Sequence, residues 1–216
     1  MYKRRQFLKL GLGMIAGVSS FLSPMFSAVR WVYAKGEKIV LPKTTTRESL
    51  INKDPSILDT RNLELTNLKD FKTMGATDFD VDIDTWRLEI NGSVKNPLSL
   101  TYKEVLDLPS IERDVLLICP GFFANHGRWK GVSMKDLFEK TGLIQGVKNM
   151  TVSGLENWGE KTEEFPIEDV LSNKVFLAYR VNNETLPVRN GFPLRIVAEG
   201  YYGDDWVKYV KKLSFE

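Results

Sequence analysis

From Thr85 onward the sequence breaks into short apolar or alternating runs separated by turn residues, and six of these runs read as strands against three short helices. The strands are "TWRLEING", "DVLLIC", "NMTVSG", "KVFLAYRV", "FPLRIVAE" and "WVKYVKKLSF". The helices are "LTYKEVLDLP", with Thr101 as N-cap and Pro109 past its end, "SMKDLFEKTG", with Ser133 as cap and Gly142 as stop, and "PIEDVLSN". A chain with this ratio has to bury sheet faces, with helices only as covers. The reading is an α+β fold of predominantly β content.

One strand ends unusually. "DVLLIC" closes on Cys119, the only cysteine, followed by Pro120 and Gly121, and the loop "PGFFANHGRW" carries the only histidine, His126. Pro fixes φ and Gly lets backbone come close, so this turn points the thiol out of the sheet into a cleft. The residues alone leave three uses for the thiol: an inert core residue, a nucleophile activated by His126, or a metal ligand.

The compartment bears on that choice. Residues 1 to 34 begin with Arg4-Arg5-Gln6-Phe7-Leu8-Lys9 and continue uncharged from Leu10 to Val29. The opening resembles a twin-arginine export signal, a receptor-read address, and the uncharged stretch is about long enough to stay in the bilayer as an anchor. An ordinary transmembrane helix held by the positive-inside rule is the alternative. Either way this segment stands apart from the fold. The expected organisation is 1–34 as signal or anchor, 35–80 as an extended wrap over the surface, and 81–216 as the main body of a single domain. In an exported protein a lone cysteine points to intermolecular pairing or to a thiol with a task, since structural cysteines there come in pairs.

Lys3, Arg4, Arg5, Lys9 and Arg30 account for five of the 30 basic residues, and the same segment has no acid. The remaining 25 basic side chains face 28 acidic ones, so the domain itself is slightly acidic and no nucleic acid is expected as a partner.

With the elements placed, the stretch from Phe71 to Glu216 resembles the sulfite oxidase family of molybdopterin-dependent oxidoreductases. The ordered pieces "WRLEINGSVKNPLSLTYKEVLDLP", the strand ending in cysteine, "WKGVSMKDLFEKTG" and "VFLAYRVNNETLPVRNGFPLRIVAEGYYGDDWVKYVKKL" carry the resemblance. It implies a sulfite-oxidase-like molybdopterin-binding fold, a molybdenum-molybdopterin cofactor, and Cys119 as the protein's ligand to the metal. It also implies that Asn190, Arg195, Gly203, Lys208 and Phe122 hold or cover the cofactor, Arg195 and Lys208 as cations for its phosphate. Trp158 stands where relatives carry an active-site tyrosine, and Asn190 where they carry a histidine. With His126 as proton carrier or hydrogen-bond donor, Cys119 and Trp158 complete the expected catalytic set.

The sulfite-oxidising branch follows its cysteine with a pair of arginines, whereas this chain reads "PGFFA". Without those cations a doubly charged anion has poor reason to bind, which favours a small uncharged oxygen donor or acceptor such as an S-oxide. A sulfite-type dehydrogenase and a cofactor-free exported binding module are the alternatives.

The chain has no haem-attachment motif, no cluster cysteines and no glycine-rich dinucleotide loop in a strand–helix setting. Electrons must then be exchanged with a separate protein. For an exported enzyme this is a membrane haem or quinone protein, or an exported cytochrome.

Overall fold

The computed structural model describes residues 37–156 and 159–216. Eighteen residues before Cys119, Thr101 caps the helix α1 (Tyr102–Leu106) in a reciprocal capping box with Glu104, and the chain soon enters a long strand. In chain order the strands used below are β1 (Leu88–Gly92), β2 (Leu98–Leu100), β3 (Ser110–Cys119), β4 (Phe123–Val132), β5 (Asn149–Glu156), β6 (Gly159–Pro166), β7 (Val175–Val181), β8 (Glu184–Thr185), β9 (Arg195–Ala198) and β10 (Lys212–Phe215). The other helices are α2 (Met134–Thr141) and α3 (Ile167–Leu171).

These strands build two five-stranded sheets. In the first, the order is β8-β7-β4-β3, with β9 also pairing β7, and every pairing is antiparallel. In the second, the order is β2-β1-β10-β5-β6, with β10 parallel to β1 and antiparallel to β5. The architecture is mostly β with few helices, as expected. Among the described residues no helix is long and apolar enough to cross a membrane.

The hairpin of β3 and β4 positions the site. Ten residue pairs run from Ser110↔Val132 to Cys119↔Phe123, leaving Pro120, Gly121 and Phe122 as the connection. Gly121 takes φ +77°, a conformation that favours glycine. The run Val115–Ile118 is buried throughout because both faces of β3 are covered. Leu117 faces the main core. Leu116 and Ile118 face a second cluster formed by Leu41, Leu50, Leu58 and Leu63.

That second cluster changes the reading of the N-terminal wrap. Its leucines Leu41, Leu50, Leu58 and Leu63 form a core of their own against the hairpin, each contributing about 1.5–3 kcal/mol relative to an exposed side chain. Val40–Glu216 accordingly form one compact unit.

Other expectations need correction. "FANHGRW" is part of the strand β4, where a loop was expected. "WVKYVKKLSF" is a strand only over Lys212–Phe215. Its first half is a buried irregular segment whose Val207 carbonyl accepts from Ile196 N at 2.8 Å and whose Val210 N–H donates to Leu194 O at 2.9 Å. Its apolar residues come in pairs, Trp206-Val207 and Tyr209-Val210, where a half-buried strand would alternate. The strand β6, "GEKTEEFP", went unread because most of its side chains meet solvent.

Candidate active site

Cys119 is half-buried at the end of β3, and a turn from the far end of the chain closes over it. Gly203 N–H donates to Ile118 O at 2.7 Å, which ties that turn to the strand end. The resulting cleft has a volume near 480 Å³, and Cys119, Phe122, Arg195, Gly203 and Lys208 all line it. Five residues proposed from sequence are thus brought together from three separate stretches of chain.

The cationic end is unusual. Arg195 is buried, and its Nη1 and Nε donate to the carbonyls of Asn190 (3.0 Å) and Ile196 (3.3 Å). Its guanidinium carbon lies 5.1 Å from the ring centre of Trp129 and 5.3 Å from that of Trp206. Among the described residues no carboxylate pairs with it. Burial lowers its pKa to about 10, so it remains a cation at neutral pH. A buried cation held only by carbonyls and aromatic faces is unfavourable unless an anion joins it. Lys208 reaches the same pocket and donates to Met74 O at 2.7 Å and to Ala76 O.

Asn190 is buried beside this pair without lining the pocket. It offers its backbone carbonyl to Arg195, and its side-chain Oδ1 has no partner among the described residues. Trp206, which does line the pocket, also keeps a buried indole N–H without an acceptor.

His126 does not belong to this site. On β4 it pairs with Leu116 of β3, three positions from Cys119's pairing with Phe123, so its side chain lies on the opposite face of the hairpin. There it is buried, with Nδ1 3.4 Å from Glu64 O and Nε2 without a partner among the described residues. The nucleophile reading loses its base with this placement. The surroundings also work against a thiolate nucleophile: burial, then the Asp204 carboxylate, push the Cys119 pKa up, with Arg195, Lys161 and Lys208 opposing. Trp158 lies outside the described residues.

Several pocket residues were not anticipated. Trp206, Lys161 and Asp204 line it, as do Thr73, Met74 and Gly75 of the wrap. The wrap residues carry no periodic signal, while Trp206 sat inside a run read as strand.

The family comparison agrees with this geometry. A model of the oxidoreductase molybdopterin binding domain matches residues 74–216. The chain belongs to that family. This molybdopterin-binding oxidoreductase domain is 29% identical over 142 residues to the uncharacterized oxidoreductase YuiH of Bacillus subtilis, covering 65% of this chain and 70% of the relative. It is 26% identical over 159 residues to the NADH nitrate reductase 1 of Arabidopsis thaliana, covering 59% of this chain but only 17% of that protein. Among solved structures the sulfane dehydrogenase SoxCD of Paracoccus pantotrophus superposes with a TM-score of 0.59 at 26% identity, covering 63% of this chain and 39% of that one.

The pocket fits the family's cofactor, molybdenum-molybdopterin. Arg195, without a carboxylate partner among the described residues, suits the phosphate, the orphaned Trp206 N–H suits a polar ligand group, and the absence of a side chain at Gly203 leaves the thiol accessible. A Cβ there would sit 2.8 Å from Cys119 Sγ.

Proposed function

We propose that this chain is an exported molybdenum-cofactor-dependent oxidoreductase acting on a small, uncharged oxygen donor such as an S-oxide, with electrons delivered by a separate redox protein. The observation that carries the reading is the pairing of a soft sulfur donor, Cys119, with the buried unpaired cation Arg195 in one cleft. When bound, the cofactor supplies two-electron oxygen-atom exchange.

The chain's own residues divide the remaining work. Cys119 offers a thiolate to the metal, whose charge would offset the burial that now favours the thiol. Arg195 and Lys208 hold the phosphate end, and Trp129 and Trp206 keep the guanidinium in place. Leu117, Pro120, Phe122 and Phe123 give the pocket an apolar wall where the sulfite-oxidising pattern has arginines. Such a wall accepts a neutral substrate more readily than a desolvated dianion.

Reduction of a sulfoxide to sulfide and water takes two electrons and two protons. A one-electron carrier must therefore visit twice per turnover. The Arg4-Arg5 signal supports a location outside the cytoplasmic membrane, where a membrane haem or quinone protein or an exported cytochrome is the natural source. The N-terminal stretch would serve as signal or anchor.

The test is to purify the natively exported protein, measure molybdenum and pterin together, and assay sulfoxide reduction with a viologen dye and with NADH. The reading expects both components in equal amounts, turnover with the dye and none with NADH. Sulfite oxidation without sulfoxide reduction would reverse the direction. Absence of pterin would leave a cofactor-free module.

A further inference from the structure

We propose that the surface beside the mouth of the Cys119 pocket is a docking face for a small, acidic electron-transfer protein. The proposal rests on the redox reading of the site. It starts from a second, open depression of about 570 Å³ that shares Thr73, Met74, Phe122 and Phe123 with the Cys119 pocket.

The charge of this face runs against the charge of the domain. Residues 35–216 carry more acids than bases, yet Lys69, Lys72 and Arg189 line the depression against the single carboxylate of Asp70. Lys69 and Lys72 are exposed and make no ion pair among the described residues. Arg189 is anchored, its Nη2 donating to Phe71 O at 2.6 Å. The adjoining hollow adds Arg47 and Glu48, which cancel.

The centre of the face is apolar. Phe122 is 65% exposed and Met74 46% exposed, and both belong to the shared wall. An exposed aromatic in the middle of a polar rim is the arrangement of a protein interface, and cations at the rim steer an acidic partner and speed its arrival. The patch is small, which suits a carrier that docks, delivers one electron and leaves. A membrane surface also attracts exposed Phe and Lys, and the experiment separates that outcome.

The experiment measures binding to the full chain, loaded with cofactor, of two c-type cytochromes, one acidic and one basic, at low and near-physiological salt. The acidic cytochrome should bind and the basic one should not, with affinity falling about tenfold as salt rises, as screening requires. Lys69→Glu with Lys72→Glu should weaken binding by at least about tenfold, with pterin content unchanged, whereas Lys69→Arg with Lys72→Arg should retain it. Equal affinity of the glutamate variant and the parent, or preference for the basic cytochrome, would overturn the proposal. So would loss of binding to phosphatidylglycerol vesicles in that variant with cytochrome affinity intact, which would make the face a membrane contact. Binding needs no turnover, so a protein found to lack pterin refutes the redox reading separately.

Discussion

Gly203 and Cys119 meet so closely that the glycine's missing side chain is a structural requirement. A Cβ at position 203 would lie 2.8 Å from Sγ, 2.9 Å from Leu117 Cδ1 and 3.2 Å from Ile118 O. Those distances force either the thiol or the strand end to move. Gly203→Ala is expected to fold with a loss of about 1–3 kcal/mol, typical of overpacking, and to lose molybdenum far out of proportion. Thermal unfolding and metal analysis on the same sample check this; full metal occupancy would mean the contact is slack.

Arg195 gives a prediction of unusual sign. In the cofactor-free protein it is a buried cation with no carboxylate partner among the described residues, so Arg195→Met should leave stability unchanged or raise it, because a packed hydrophobe can replace a buried charge at no cost. The same variant should lose pterin. The control is Lys135→Ala, an exposed lysine of α2. Denaturant unfolding with pterin fluorescence separates the two effects, and a large destabilisation with normal pterin would assign Arg195 a purely structural role.

Much of this site could be read from the order of the residues, and what escaped had non-local causes. Cys119 at the end of an apolar run and Ser133 and Gly142 bounding α2 stand where local chemistry puts them, whereas Arg195 and Lys208 came only from the family resemblance. The strand β4 escaped because Asn125, His126, Gly127 and Arg128 give no alternation. Its pairing comes from the facing strand, and its polar groups are met by distant chain. Asn125 Nδ2 donates to Lys72 O at 2.8 Å, and His126 N–H donates to Thr66 Oγ1 at 2.9 Å. A histidine seven positions from a cysteine therefore reads as its partner in one dimension and faces away in three.

His126 carries a pH prediction in place of a catalytic one. Burial lowers its pKa in the folded state, with the Glu64 carbonyl and Asp114 opposing and Arg47 reinforcing. The unfolded chain then binds the proton more readily, so stability is full above the ordinary histidine value near 6.5 and falls as pH drops below it. Between pH 7.5 and 5.5 the melting temperature of the parent should fall more than that of His126→Leu, with dye-linked turnover at pH 7.5 largely retained in the variant. Parallel melting curves would show that another group controls the acid limb.

Export gives an independent check on residues outside the described structure. Arg4→Lys combined with Arg5→Lys should leave the folded, cofactor-loaded protein in the cytoplasm, since the signal is read by its arginine pair. Unchanged export of the metal-loaded protein would remove the twin-arginine assignment and, with it, the argument for an extracytoplasmic electron source.

The central claim is that Cys119 is the protein's ligand to molybdenum. X-ray absorption at the molybdenum edge, on the native protein and on Cys119→Ser, tests it at the bond itself. The account predicts that the serine variant keeps its pterin, shows one sulfur donor fewer around the metal, and loses nearly all turnover. An unchanged sulfur shell in the variant would contradict it.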